Sequence, residues 1–223
     1  MVKAVLASNN KKKISEIITL ISTVGVDLNI LSLSDIGYTD EIIENGDSFE
    51  ENSLIKAKAP ASRGYIGIAD DSGLAVDYLN GAPGIYSARY SGENANDEKN
   101  RAKLLSTMAG VPIENRKAGF VCCVSIVLTN DCGIVIPEEW RISKELSGKV
   151  GIPSELAMVV RGECRGHIMT EEHGRSGFGY DPLFFSDELG RSFAEVDGEE
   201  KNRVSHRGHA MSEFTRRLSI LFN

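Results

Sequence analysis

The 223-residue sequence predicts an α/β protein in which helices flank a mixed β-sheet. Three observations predict this fold class. Short apolar segments alternate with helical patterns early in the chain, which is typical of strand–helix–strand units. Residues 118–136, "AGFVCCVSIVLTNDCGIVI", are rich in β-branched residues and predict a hairpin that turns at residues 130–133. Because that hairpin is antiparallel, we expect a mixed sheet and not a purely parallel one.

The N-terminal segment predicts one strand followed directly by one helix. Residues 3–8, "KAVLAS", are short and apolar, as expected for a buried strand. This segment ends in Ser8, which is followed by Asn9 and Asn10, and all three are types that commonly cap helix N-termini. Four isoleucines then follow at positions i, i+3, i+4 and i+7, a spacing that places them on one face of a helix. We expect this face to be buried; it consists of Ile14, Ile17, Ile18 and Ile21.

Later segments predict further elements in order. A second helix is expected at about 49–62, a strand at 65–69 that stops at two aspartates, and a third helix within 94–108. Residues 157–168 predict one strand or a pair of strands. Segment 137–157 is mixed in charge and contains two prolines, which fits an excursion from the sheet. A C-terminal helix presents an apolar face formed by Ala210, Phe214, Leu218 and Leu221.

Composition narrows the possible functions. The net charge of −7 argues against a general affinity for nucleic acids or anionic membranes, so neither is an expected partner. The chain contains no apolar segment of transmembrane length and no secretory h-region, so we expect a cytoplasmic protein. Its four cysteines form no CxxC pair, which favours free thiols over a zinc site.

The first helix begins with three consecutive lysines, Lys11, Lys12 and Lys13. The helix dipole disfavours cations at that end, so an anion bound there by backbone N–H groups and a lysine would explain them. The alternative is a solvated lysine cluster on a surface turn. The strand–cap–helix context favours the anion site, although the P-loop pattern is absent.

Two acidic segments are candidate metal ligands. Ser48 and Glu51 fit the S-x-x-E capping box, which by itself favours a structural role for Glu51. Asp70 and Asp71 are adjacent like charges beside an apolar segment, and a divalent cation such as Mg²⁺ would remove their repulsion. An ordinary polar turn explains Asp-Asp-Ser-Gly equally well at this point.

Two later segments suit a purine base. In "GFGYDP", Phe178 and Tyr180 would offer an aromatic face, and Asp181 a hydrogen-bond acceptor. In "SHR", His206 and Arg207 would donate to the oxygens of a base. Each residue also has an ordinary structural explanation, and only their combination with a phosphate site favours nucleotide binding.

Together these motifs resemble the inosine triphosphate pyrophosphatase family, whose members are XTP/dITP diphosphatases. The matching segments are "LASNNKKKISEI", "SFEENSLIKAKA", "IADDSGLAVDYLNGAPGIYSARYSG", "GFGYDPLFF" and "EEKNRVSHRGHAM", in the family's order. The resemblance implies one elongated domain over residues 1–223, with two lobes around a deep cleft, usually assembled as a homodimer. The implied reaction is Mg²⁺-dependent hydrolysis of ITP, dITP or XTP to the monophosphate and pyrophosphate, which cleanses the nucleotide pool.

The resemblance also implies roles for individual residues. Asp71 is the catalytic carboxylate and shares the metal with Glu51, while Ser72 contacts the substrate. The implied triphosphate ligands are Ser8, Asn10, Lys13, Lys56 and Lys201. The implied base-side residues are Phe178, Gly179, Tyr180, Asp181, His206 and Arg207. Ser8 stands where the family usually has threonine, and Arg175-Ser176 replaces a more glycine-rich loop.

Two other functions stay open at this stage. One is a related septum-inhibitor-type pyrophosphatase that acts on pyrimidine or methylated nucleotides. The other is a module that binds nucleotides without turnover, although the paired aspartates and Glu51 make this less favoured because simple binding needs no metal-activating carboxylate.

Overall fold

A computed structural model describes residues 2–8, 11–23 and 25–223. Its strands are β1 (Val2–Leu6), β2 (Leu28–Ser32), β3 (Ile66–Val76), β4 (Lys117–Val127), β5 (Ala157–Ile168), β6 (Phe184–Ser186) and β7 (Arg191–Ser192). Its α-helices are α1 (Lys11–Ser22), α2 (Phe49–Ala61), α3 (Asp97–Thr107), α4 (Lys144–Val150), α5 (Gly198–Val204) and α6 (His206–Leu221).

The strands form one seven-stranded sheet in the order β2-β1-β3-β4-β5-β6-β7. β1 pairs in parallel with β2 and with β3, whereas β6 pairs antiparallel with β5 and with β7. The sheet is therefore mixed, which confirms the predicted fold class.

The chain divides into two compact units. Unit 1 comprises residues 1–71, 123–161 and 210–223, and unit 2 comprises residues 72–122 and 162–209. Strands β3, β4 and β5 and helix α6 each contribute residues to both units. The division falls between Asp71 and Ser72, in the middle of β3.

Helix α2 lies in the core of unit 1. Its buried residues are spread over most of its circumference and include the polar Asn52 and Ser53, so it lacks the single apolar face of a surface helix. Ser53 compensates for its burial by a 2.6 Å hydrogen bond to Ser125 on β4. Leu54 and Ala57 pack with Val5, Ala69 and Val127 from the sheet.

Unit 2 has its own aromatic core. Phe120 of β4 packs against Phe184 and Phe193, with ring centroids 4.8 Å and 5.8 Å away. Leu104 and Met108 at the end of α3 join the same buried cluster. Arg116 is buried beside it and donates to the backbone carbonyls of Met108, Ile168 and Met169, which satisfies its guanidinium.

Most sequence predictions of helices are confirmed. The helices expected near 49–62 and within 94–108 are α2 and α3, and residues 157–168 form the single strand β5. In the first helix, Ile17 and Ile21 are buried and Ile14 is half-buried, but Ile18 is exposed. Segment 137–157 contains α4 and a short 3₁₀ turn at Glu138–Trp140.

The predicted hairpin at residues 118–136 is wrong. Strand β4 ends at Val127, and residues 128–136 form no strand. In the sheet β4 lies between β3 and β5, so both of its edges are already occupied and no edge remains for a hairpin partner. After β4, the Leu128 N–H instead donates to the Leu156 carbonyl just before β5.

Among the residues that the structure describes, no helix is both long and apolar enough to cross a membrane.

Candidate functional site

Strand β3 carries the paired aspartates within it, not at its end as the sequence predicted. Asp70 and Asp71 are the fifth and sixth of its eleven residues. Successive side chains of a strand point to opposite faces of the sheet, so the two carboxylates are directed apart. The strand geometry therefore relieves the repulsion that adjacent aspartates would otherwise have, before any cation is considered.

Helix α2 lies very close to β3, because Gly67 has no side chain. A Cβ on Gly67 would be 1.8 Å from the Ala57 carbonyl oxygen of α2 and 3.0 Å from Pro60 Cγ. Since an ordinary carbon–oxygen contact is longer than 3 Å, only glycine allows this packing. The close approach places Lys56 of α2 next to Asp71 of β3.

Lys56 joins two carboxylates. Its Nζ lies 2.8 Å from Asp71 Oδ1 and 2.9 Å from Glu44 Oε2, and about an eighth of the lysine side chain is exposed. Burial by itself lowers the pKa of Lys56, but the charges of Asp71 and Glu44 outweigh it and raise the pKa above its ordinary value. The three groups therefore form a partly buried cluster with the lysine charged.

Glu44 is the residue that the sequence reasoning missed. It lies in the irregular segment before α2, where no motif or periodicity distinguishes it from Glu41. Its ion pair with Lys56 nevertheless makes it the carboxylate that shares a cation with Asp71. The only available signal was the concentration of acidic residues in segment 40–47.

Glu51 makes a different set of contacts. Ser48 Oγ accepts the Glu51 N–H, as the capping box predicted, but Glu51 Oε2 accepts the N–H of Asp47 and not that of Ser48. Its other oxygen lies 3.2 Å from Lys149 Nζ of α4. Lys58 of α2 also donates to the Val150 carbonyl, so segment 137–157 is fixed to α2 through α4.

Ser8 follows β1, the strand that pairs with β3, after the single residue Ala7. Its N–H donates to the Leu6 carbonyl at 3.0 Å, so the chain turns directly after the strand. The predicted ligand Asn10 is outside the described residues. Lys13 is within α1, and only its backbone is described. The predicted anion site at the start of α1 stays a prediction.

The acidic groups of unit 1 are suitable for a divalent cation. Asp71 and Glu44 already have one oxygen each within 3 Å of the same cationic nitrogen, and carboxylate oxygens are the ligands that Mg²⁺ prefers. In proteins, Mg²⁺ usually takes one or two carboxylates and completes its coordination with waters and substrate phosphates. Within residues 2–8, 11–23 and 25–223, no cluster of three His, Cys, Asp or Glu side chains fits a metal ion.

The base-side loop belongs to unit 2, and its two aromatic residues differ in exposure. Phe178 is 59% exposed, whereas Tyr180 is 4% exposed. The Tyr180 hydroxyl donates to the Ser87 carbonyl, and burial together with Tyr90 and Asp97 raises the pKa of Tyr180. Phe178 therefore has an accessible ring, and Tyr180 anchors the loop to the core.

Asp181 and Lys201 contact each other beside Phe178. Lys201 Nζ is 2.6 Å from Asp181 Oδ2 and 4.7 Å from the centre of the Phe178 ring. Asp181 Oδ2 also accepts the Phe178 N–H. The sequence expectation grouped Lys201 with the phosphate ligands, but here it contacts residues of the base-side loop.

His206 and Arg207 begin helix α6, and both are more than nine-tenths buried. The His206 ring stacks on Phe120 with centroids 4.8 Å apart and planes 13° from parallel. Gly208 allows the close connection from α5, because a Cβ there would be 1.7 Å from the Asn202 carbonyl oxygen. Ser205 Oγ accepts the Gly208 N–H and caps the helix.

The described residues thus form two groups. In unit 1, Asp71, Glu44 and Lys56 form a charged cluster. In unit 2, Ser72 follows Asp71 on β3, and the 178–181 loop, Lys201 and the start of α6 provide aromatic, acidic and basic groups. The charged groups of unit 1 are of the kind that binds phosphates, and the aromatic and polar groups of unit 2 are of the kind that binds a base.

Comparison with known proteins identifies the family. The model of the Ham1 family matches residues 4–217, so the chain belongs to the Ham1 family. This result agrees with the resemblance drawn from the sequence motifs.

Relatives match almost the whole chain. A dITP/XTP pyrophosphatase of Clostridium perfringens is 44% identical over 220 residues, covering 96% of this chain and 95% of the relative. A dITP/XTP pyrophosphatase of Bacillus subtilis is 37% identical and covers 98% of each chain. The structure of a HAM1 protein from Coxiella burnetii has a TM-score of 0.83 and 32% identity, covering 99% of this chain and 100% of that one.

Proposed function

We propose that this protein hydrolyses the non-standard purine nucleoside triphosphates ITP, dITP and XTP to the monophosphate and pyrophosphate. Family membership and the names of the relatives support this activity. The structural observation that carries it is the Asp71–Lys56–Glu44 cluster, which combines carboxylates for a metal and a base with a cation for phosphate. A module that only bound nucleotides would need no such carboxylate pair.

The proposed cofactor is Mg²⁺, held by Asp71 together with Glu44. Glu51, the partner expected from the resemblance, contacts Lys149 and the Asp47 N–H instead, so the contacts favour Glu44. When bound, Mg²⁺ would supply Lewis-acid polarisation of the phosphate oxygens. Exchange of the Lys56 ammonium for the metal would leave that lysine available to a phosphate.

Asp71 is the proposed catalytic base. Its carboxylate orients a water and accepts a proton as the water oxygen attacks the α-phosphorus. The bond between the α-phosphorus and the α–β bridging oxygen then breaks, and pyrophosphate leaves. Lys56, with Lys13 and the N-terminal N–H groups of α1, neutralises charge on the leaving group.

The proposed base site explains a preference for 6-oxo purines. A base would stack on the exposed ring of Phe178, and donors from His206 or Arg207 would pair with the oxygen at C6. Adenine carries an amino group there, and each buried donor left unpaired costs about 1–3 kcal/mol. Two such mismatches would reject ATP strongly.

The proposal extends to the domain organisation, the oligomeric state and the partners of the protein. We propose that residues 1–223 act as one functional domain. We expect a cytoplasmic homodimer that binds neither nucleic acid nor membranes.

A panel of nucleoside triphosphates with pyrophosphate detection tests this function. We expect Mg²⁺-dependent turnover of ITP, dITP and XTP, and poor turnover of ATP, dTTP and UTP. Preference for dTTP or UTP would instead support a septum-inhibitor-type enzyme, and binding without pyrophosphate release would support a binding module.

A substitution then tests the role of Asp71. Asp71→Asn should lower kcat by about 10²–10⁴-fold, the usual contribution of a general base, while nucleotide binding persists. Asp77→Asn is a matched control, because Asp77 is an exposed aspartate that pairs with Arg165. Full turnover by Asp71→Asn would disprove the assignment.

A further inference from the structure

Helix α3 holds the base-side loop at one residue. The Gly179 N–H donates to Asp97 Oδ2 at 2.7 Å, and the Gly179 carbonyl accepts from Arg101 Nη1 at 3.0 Å. Asp97 and Arg101 are four positions apart, so they lie on the same face of the helix. Both backbone polar groups of one loop residue are therefore bound by side chains of one rigid element.

This attachment fixes a segment that has no regular structure of its own. Residues 169–180 form neither helix nor strand, and Gly179 has a φ of +60°, in the left-handed region. Irregular segments of this length in compact proteins are often functional, and their conformations need external contacts. Two hydrogen bonds that involve charged groups are stronger than neutral ones and define the orientation of both peptide planes at Gly179.

Arg101 is itself held in place. Its Nε donates to Glu172 Oε1 at 2.8 Å, so one guanidinium contacts the 169–180 segment near its beginning and near its end. Asp97 is at the first turn of α3, behind the N-cap residue Asn96. The helix dipole stabilises the negative charge of Asp97 at that helix end. Asp97 therefore stays ionised while it accepts the Gly179 N–H.

The two aromatic neighbours of Gly179 depend on this arrangement. The Tyr180 side chain is anchored by the hydrogen bond from its hydroxyl to the Ser87 carbonyl. The Phe178 ring is largely exposed; Lys201 Nζ lies over it, and Asp181 accepts the Phe178 N–H. The carbonyl of the peptide between Phe178 and Gly179 accepts from the Asp181 N–H, and its N–H donates to Asp97, so Asp97 and Asp181 together set the orientation in which the exposed ring is presented.

We propose that Asp97 and Arg101 are positioning residues for substrate binding: by holding both sides of Gly179, they preorganise Phe178 to stack on the purine base. The inference rests on the proposed function, because it assumes that a base binds at this loop. Neither residue needs to touch the substrate. Without these two hydrogen bonds, the loop is held less firmly at Gly179, and more of its ordering has to accompany nucleotide binding, which weakens binding without altering the chemistry at the phosphates.

The test compares three variants in steady-state kinetics with ITP. Asp97→Ala removes the acceptor for the Gly179 N–H and should raise KM about 5- to 10-fold with kcat almost unchanged. Asp97→Asn keeps an oxygen acceptor and should restore most of the loss. Glu98→Ala is the matched control: Glu98 is the other acidic residue in the first turn of α3, so this variant changes the helix-end charge equally.

Amide hydrogen exchange of a peptide covering residues 174–181 reports on the loop without nucleotide. Asp97→Ala should accelerate exchange there, and Glu98→Ala should not. The inference is overturned if Asp97→Ala and Glu98→Ala have the same KM, if kcat falls in place of a rise in KM, or if exchange is unchanged.

Turnover by the parent protein separates the two proposals. If the parent releases pyrophosphate from ITP but Asp97→Ala behaves as the parent does, the positioning role fails and the proposed function stands. If the parent hydrolyses no nucleoside triphosphate in the panel, the proposed function fails, and the positioning role with it.

Discussion

The packing of α2 on β3 leads to a sharp prediction for Gly67→Ala. The added methyl carbon would be placed 1.8 Å from the Ala57 carbonyl oxygen. The clash is with backbone in the middle of a buried helix, so no flexible side chain can move aside. The helix and the strand must separate by more than about 1 Å before the contact becomes tolerable.

The expected cost follows from overpacking. Forcing a methyl group into a well-packed core typically costs about 1–3 kcal/mol, and a backbone clash this short belongs at the upper end or beyond. For a chain of this length, about 3 kcal/mol corresponds to a fall in Tm of about 6–12 °C. In molecules that do fold, Lys56 would move away from Asp71, and turnover should fall as well.

Thermal and urea denaturation of Gly67→Ala beside Gly148→Ala provide the assay. Gly148 lies within α4, and a Cβ there would meet nothing within 4 Å. Alanine at this position should be neutral or stabilise the protein by up to about 1 kcal/mol, because it favours the helix. If Gly67→Ala retained the parent stability to within about 0.5 kcal/mol, the close approach of α2 and β3 would be refuted.

Two further predictions concern the charged cluster. Glu44→Gln should weaken the activation of turnover by Mg²⁺ at least tenfold, whereas Glu51→Gln should mainly lower the thermal stability; the reverse pattern in a Mg²⁺ titration would restore Glu51 as the metal ligand. Because the pKa of Lys56 is raised by folding, its contribution to stability is fully present below its ordinary pKa of 10.5 and is lost as the pH rises through the higher folded value. Lys56→Arg, whose guanidinium stays charged there, should lose less stability than the parent between pH 10 and 12 in urea denaturation, and equal losses would contradict the assignment.

Glu51 illustrates how a local motif and a family resemblance can conflict. Its backbone N–H is capped by Ser48, as the S-x-x-E pattern indicates, yet its carboxylate reaches Asp47 and Lys149. These contacts help to fix the start of α2 and to attach α4. By fixing the start of α2, Glu51 also helps to fix the position of Lys56, which lies little more than one helical turn further along the same helix.

The sequence by itself determined the fold class, the family and most helices. Those features depend on local periodicity, on capping residues such as Ser48 and Asn96, and on ordered motifs, all of which are properties of neighbouring residues. The motifs also predicted Asp71 and Lys56 as members of one site, and the structure brings their side chains together.

Only the tertiary structure decided which distant groups meet. The hairpin prediction failed because β-branched residues favour a strand but do not specify its neighbours, and β4 is already flanked by β3 and β5. Glu44 has no local signature, and it is linked to Asp71 only because both contact Lys56, which the packing of α2 on Gly67 brings to β3. Contacts between residues far apart in sequence depend on how whole elements pack, and that information is spread over the entire chain.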